Sequence, residues 1–199
     1  MDQQKEAFVS TEDRLLSAAM DLMEKKGYKA VTTKEIAAKA GFCEMTLFRH
    51  FGTKQKLLED AVNRYSYIMD MEKILMKNVQ YNLKNDLALV SKTYHKYVKR
   101  NEKIILLAFQ ERNTNPEIAK KVAENPKILK EYLINYFEEM QRRGKMIDID
   151  AEATAMQFLW MNLGYFISGA IGGEVVSTMA VEQFIEQSVS VFARGVSQR

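Results

Sequence analysis

Residues 32–54 read TTKEIAAKAGFCEMTLFRHFGTK, and this stretch decides the fold. Thr32 followed three positions later by Glu35 is a capping box, in which each residue satisfies a backbone N–H the first turn leaves open. A helix is therefore predicted to begin there. Ile36, Ala37 and Ala40 give it a narrow apolar face, with small side chains that let a second helix cross closely. Gly41 stands where that helix must stop, at a turn that favours a residue tolerant of positive φ. A second short helix is predicted from Glu44 to Phe51, with Leu47 and Phe51 inward at i and i+4. Its other face carries Glu44, Met45, Thr46, Phe48, Arg49 and His50. Two helices this short are unstable alone, so a third must cover them.

The flanks supply that cover. Upstream, Leu15, Ala18, Ala19, Leu22 and Met23 form one helical stripe that ends at Gly27. Downstream, Thr53 opens a long helix through Leu57, Leu58, Ala61 and Val62, predicted to continue to Asn78. Lys54 and Lys56 sit in its first turn, where cations oppose the helix dipole. That placement makes sense if the helix end meets a phosphate. From Lys25 to Lys56 there are eight Lys or Arg against two acids, about +6, whereas the whole chain carries +3. Two short helices about a tight turn, inside a basic surface, have the spacing of a helix-turn-helix, which lays its second helix in the DNA major groove.

The ordered pattern GY…VTTKEIAAKAGF…TLFRHFGTKQKLL, within Thr11 to Leu58, resembles the TetR family of bacterial transcriptional regulators. The resemblance implies an all-α homodimer. An N-terminal three-helix, helix-turn-helix DNA-binding domain (residues 1–58) would precede a larger helical effector-binding and dimerisation domain (59–199). The family's DNA-contacting positions map onto Thr33, Glu44, Met45, Thr46, Phe48, Arg49, His50 and Lys54. The sequence departs from the family pattern at three places. Cys43 replaces the usual Ser or Thr at the start of the recognition helix and is a poor N-cap. Glu44 stands where a basic residue is common, and is suited to a cytosine amino group rather than a phosphate. Phe48 replaces a Tyr and removes a hydroxyl.

The remaining chain reads as further helices: about 84–100, about 102–112, a short one from Pro116, one from Pro126 to Arg143, and a last one from about Thr178 to Val196. Two prolines, nine glycines and no β-branched alternation in 199 residues favour helix. Residues 153–173 carry no charge, yet Gln157, Asn162 and Ser168 interrupt them. This segment is read as the centre of a water-soluble core rather than a membrane span. A single cysteine excludes an internal disulfide, and the polar N-terminus carries no signal peptide, so a cytoplasmic protein is expected. Only His50 and His95 are available as histidines, in no acid–base or metal spacing, and no phosphate-binding glycine loop occurs. Neither an enzyme nor a metal or cofactor is expected.

Gly164, Ser168 and Gly172 form a small-residue stripe. With Phe184, Ser188 and Phe192 of the last helix, they are expected to form a four-helix contact between two copies, chiefly on the family resemblance. Packing of that stripe within one subunit is the alternative. Tyr94, Tyr97, Phe109, Tyr136, Met140, Phe158, Met161, Asn162 and Tyr165 are candidate lining for a small-molecule effector cavity, again chiefly on the resemblance. Gln110, Glu111, Asn135 and Gln157 are further polar candidates. Rings and methionines at helical spacing read equally as core. A lipophilic effector, uncharged or cationic, would lower DNA affinity and release a near-palindromic operator. Two other functions fit the residues: a lipid or drug carrier that retains the helix-turn-helix fold, and a nonspecific DNA-packaging protein.

Overall fold

A computed structural model describes residues 10–65, 73, 75 and 77–198. The helices are α1 (Thr11–Lys26), α2 (Thr33–Ala40), α3 (Glu44–Phe51), α4 (Lys54–Tyr65), α5 (Leu83–Arg100), α6 (Glu102–Gln110), α7 (Pro116–Arg142), α8 (Ala151–Gly172) and α9 (Val181–Val196), with a 3₁₀ turn at Gly173–Val175. An isolated bridge between Met146 and Ser197 is the one β feature among the described residues. The all-α class read from the sequence is what the chain adopts. The predicted run of one helix from Thr53 to Asn78 crosses residues 66–72, 74 and 76, which lie outside the described residues; residues 73, 75, 77 and 78 are helical.

The chain divides into two compact units, Met1–Ser66 with Lys103–Val122, and Tyr67–Glu102 with Ala123–Arg199. The sequence reading divides at residue 58; the packing adds the distant segment 103–122 to the N-terminal part.

In the first unit, α1 is the covering helix the short pair required. Ser10 caps it by accepting from Asp13 N, with acids in the first turn and Lys25 and Lys26 in the last, as the helix dipole prefers. Its stripe of Leu15, Ala18, Ala19 and Met23 is buried, while Leu22 is only half-buried. α2 packs on α1 and α3, and α4 packs on α1 and α3. Ile36, Leu47, Leu57, Leu58 and Ala61 close the centre, each fully buried.

In the second unit, α5 packs against α8 and α9. Leu87, Val90, Tyr94 and Val98 are buried, and Tyr97 is half-buried. Asp86, 4% exposed, accepts from Gln80 N (2.9 Å), Asn82 N (2.9 Å) and the Tyr136 hydroxyl (2.8 Å). Burial and then this carboxylate push the Tyr136 phenol well above its usual range. The two backbone donors flank Tyr81, whose φ of +54° lies in the left-handed region.

Two expectations are corrected. Pro126 does not begin a helix; it lies inside α7, which runs unbroken from Pro116 to Arg142. An interior proline loses one hydrogen bond and crowds one turn, about 3 kcal/mol. The buried row Leu129, Leu133, Phe137 and Met140 holds the helix despite that cost. Nor is α8 buried all round. Thr154, Ala155, Phe158, Leu159, Asn162 and Phe166 are buried, but Trp160 is 61% exposed and Ile171 76% exposed. No helix among the described residues is long and apolar enough to cross a membrane.

Candidate nucleic-acid interface

The reading head is built from α2, the turn at Gly41 and α3. The capping box forms as predicted: Thr32 Oγ1 accepts from Glu35 N (3.2 Å), and Glu35 Oε2 accepts from Thr32 N (2.9 Å). The Lys26 ammonium, together with Thr32, pulls the Glu35 carboxyl down to about 2. At the end of α2, Gly41 adopts φ +80° and ψ 30°, and its N–H bonds back to Ala37 and Ala38 carbonyls. A Cβ there would be strained by that φ and would lie 2.9 Å from the Arg14 guanidinium. Arg14 also stacks over the Phe42 ring at 4.8 Å, which fastens the turn to α1.

Leu47 and Phe51 anchor α3 by their burial. This sets the rest of the helix outward: Met45 is 75% exposed, Phe48 42% exposed, and Arg49 and His50 are exposed. Arg49, Lys25, Lys29 and Lys34 make no ion pair with any described residue. Cys43 gives no side-chain cap to α3, as its chemistry predicts. Its Sγ instead lies 3.3 Å from Thr46 Oγ1, and that side-chain contact lowers the thiol pKa.

Five of the predicted contact residues have side-chain partners within the protein, Thr46 through Cys43 and four others. Thr33 Oγ1 donates to Glu44 Oε1 at 2.5 Å, so this pair ties the start of α2 to the start of α3. His50 Nδ1 stands 3.4 Å from Glu12 Oε1 on α1. Lys54 Nζ donates to the carbonyls of Tyr28 (2.8 Å) and Val31 (2.7 Å) and lies over the Tyr28 ring. Burial lowers its pKa. The Lys54 ammonium therefore clamps the α1–α2 connection, and Lys56 pairs with Asp60 at 2.6 Å. The two lysines read from the sequence as a phosphate pair are both engaged in the free protein.

Glu111 is the residue whose place the sequence reading missed. Its sequence neighbourhood groups it with the cavity candidates, yet it is 6% exposed in the first unit and accepts from Tyr28 N at 2.9 Å. Its other carboxylate oxygen accepts from Thr114. Tyr28 OH and Asn115 Nδ2 both donate to Gln55 Oε1 at 3.1 Å. The connection that carries α2 is thus held from α4 and from the end of α6. No local pattern in the sequence reveals a contact across 83 residues.

The cavity candidates differ in placement. Tyr94, Tyr136, Met140, Phe158 and Asn162 are buried core, and Tyr97 is bonded to Asn125. Phe109 is 47% exposed in the other unit, and Met161 is half-buried. Tyr165 alone among the nine lines an open groove of about 850 Å³ in the second unit. Of the residues expected between copies, Phe184 turns inward and stacks on Tyr165 at 4.3 Å, and Phe192 packs on Phe158 at 5.2 Å. Ser188 is half-buried, Gly164 is exposed with room for a side chain, Ser168 lines the groove, and a Cβ on Gly172 would lie 3.3 Å from Val176. The small stripe therefore does not pack inside the subunit along its length.

Comparison with known proteins agrees with this architecture. Residues 15–61 match the family described as bacterial regulatory proteins, tetR family, and residues 86–195 match the AefR-like transcriptional repressor C-terminal domain. The uncharacterized HTH-type transcriptional regulator YvkB of Bacillus subtilis is 32% identical over 187 residues, 94% of this chain and 97% of its own. A transcriptional regulator from Saccharomonospora viridis, solved in complex with choline, superimposes with a TM-score of 0.74 at 19% identity, covering 94% of this chain and 98% of that one. The TetR family regulator PfmR from Thermus thermophilus gives 0.72 at 19%, covering 92% and 98%. A capped, turn-linked helix pair with an outward polar face, matched along both parts of the sequence, identifies the chain as a member of the TetR family of transcriptional regulators, which are not enzymes.

Proposed function

We propose that this regulator is a cytoplasmic repressor that binds a near-palindromic operator as a homodimer and leaves it when a small molecule binds. The outward face of α3 carries the reading. Met45, Thr46, Phe48, Arg49 and His50 are presented together by a helix anchored on Leu47 and Phe51. A helix of this length enters the major groove with its outward side chains on base edges and phosphates. Thr33 and Glu44 contact the DNA after exchanging their mutual hydrogen bond for it. Lys54 contributes through the connection it holds rather than through a free ammonium.

Dimerisation is supported by the outward side of α8 and α9. Trp160, Gly164, Ile171 and Val191 are exposed there, a surface a monomer has little reason to keep apolar. One reading helix makes few base contacts, so two linked copies gain affinity and demand two half-sites. That a structural relative holds choline supports a ligand-responsive second part. The domain division at residue 58 serves this reading as a division of labour, DNA before it and effector and partner after it.

Arg49 is exposed and unpaired among the described residues, so its removal leaves the fold intact. Arg49→Ala should weaken operator binding about a hundredfold, the loss of one contact of roughly 1–3 kcal/mol in each half-site. A fluorescence-anisotropy titration at fixed salt checks this. Unchanged affinity would show that α3 is docked otherwise.

A further inference from the structure

The groove in the second unit is lined by α5, the second half of α8, the 3₁₀ turn and the start of α9. Its floor is aromatic. His95, 8% exposed, meets Tyr165 edge-on at 5.3 Å and Phe184 edge-on at 5.5 Å, and those two rings stack on each other. Beneath them lies a polar chain whose directions can be worked out. Asn162 Nδ2 donates to Phe158 O at 2.8 Å, which fixes the amide and leaves Oδ1 as the acceptor. That oxygen lies 3.1 Å from His95 Nε2 and also accepts from Ser91 Oγ. Nε2 must therefore carry the ring proton, and Nδ1 is left with its lone pair. Burial lowers the His95 pKa, so the ring stays neutral at physiological pH. Nδ1 has no partner among the described residues and is not sealed in the core. It offers one hydrogen-bond acceptor to whatever fills the groove.

The charges around that acceptor are ordered. Lys92, one turn before His95 on α5, and Lys96, one turn after Lys92, also line the groove, are exposed, and make no ion pair with any described residue. Lys99 on the same face is neutralised by Glu102 at 2.8 Å. Glu174 on the 3₁₀ turn and Glu182 at the start of α9 also line the groove. The two unpaired ammoniums on α5 favour an anionic group near them, and the carboxylates of Glu174 and Glu182 disfavour further negative charge, which selects a single one. Phe166, Val181 and Ile185 line apolar surface for the rest of the molecule.

We propose that this groove is a small-molecule site for an amphipathic monoanion whose acidic end also carries a hydrogen-bond donor, the chemistry of a hydroxylated carboxylic acid. The carboxylate pairs with Lys92 and Lys96, the neighbouring hydroxyl donates to His95 Nδ1, and the hydrocarbon part lies along the apolar floor. The volume suits such a ligand, since drug-sized sites span roughly 300–1,000 Å³. The uncharged or cationic effector expected from the sequence follows from the rings alone and leaves out the lysines beside them. The site stands on its own geometry; its role as effector site rests on the repressor reading above.

Calorimetric titration of the full chain with 3-hydroxyoctanoate, octanoate and 1-octanol tests it. Saturable binding is expected with 3-hydroxyoctanoate, about tenfold weaker binding with octanoate, which lacks the donor, and weaker binding again with 1-octanol, which lacks the charge. The double variant Lys92→Gln with Lys96→Gln alters only exposed side chains, so it keeps the fold. It should bind 3-hydroxyoctanoate about tenfold more weakly while preserving its preference over octanoate. His95→Phe should erase that preference. No saturable binding of 3-hydroxyoctanoate, or equal affinity in wild type and the lysine variant, overturns the site. Saturable binding that leaves operator affinity unchanged overturns the effector role, and that result is read separately by anisotropy with labelled operator.

Discussion

Replacing Asp86 by alanine should lower the unfolding free energy by about 4 kcal/mol, among the larger single-residue losses available to this chain. Its carboxylate receives three hydrogen bonds in a site that is 4% exposed. Deleting it strands the Tyr136 hydroxyl and two backbone N–H groups. Each stranded buried donor costs roughly 1–3 kcal/mol, reduced where water can enter from the connection at 80–82. The same two N–H groups bracket Tyr81, held at φ +54° with Arg143 over its ring at 3.5 Å and Lys145 donating to its carbonyl at 2.7 Å. Without the carboxylate, that residue loses the two backbone bonds on the α5 side that bracket its strained conformation. Asp86→Asn keeps one acceptor oxygen and should lose about half as much. Urea denaturation followed by circular dichroism measures both. A loss below about 1 kcal/mol for the alanine variant would show that the three bonds are dispensable.

The second large effect belongs to Leu47→Ala. Leu47 is fully buried and is one of two residues that fix the rotation of α3. Its truncation removes apolar contact and leaves a void at the centre of a small helical unit, about 3 kcal/mol. An eight-residue helix has no stability to spare. The variant should therefore lose operator binding beyond the roughly hundredfold expected of Arg49→Ala, even though Leu47 faces the core. Full operator affinity in Leu47→Ala would mean that α3 is oriented by something other than its buried face.

The first unit was legible because its signals are local. A capping box, a glycine at positive φ and an i, i+4 apolar pair each act within one or two turns, and each appears where the sequence placed it. The exposed face of α3 followed directly from the burial of Leu47 and Phe51. What the sequence did not reveal is long-range. Glu111 reaches the Tyr28 amide across 83 residues, and Lys54 spends its ammonium on two carbonyls that precede α2. A count of positive charges cannot distinguish a free lysine from one that is used internally. In the second unit, ring-rich composition could not separate core from cavity, because both use the same side chains. Only packing shows that Tyr136 and Phe158 fill the interior while His95 and Tyr165 border open space. Pro126 misled for a related reason: a proline marks a helix start well, but tertiary packing can carry a helix through one.

The most direct measurement is selection of the purified full chain against a random duplex library at near-physiological salt, with Arg49→Ala selected in parallel. A dimeric reader built on α3 predicts one near-palindromic motif for the wild type, with the Arg49 variant losing preference at a symmetric pair of positions. Recovery of duplexes with no shared motif would contradict sequence-specific regulation and leave a nonspecific DNA binder in its place.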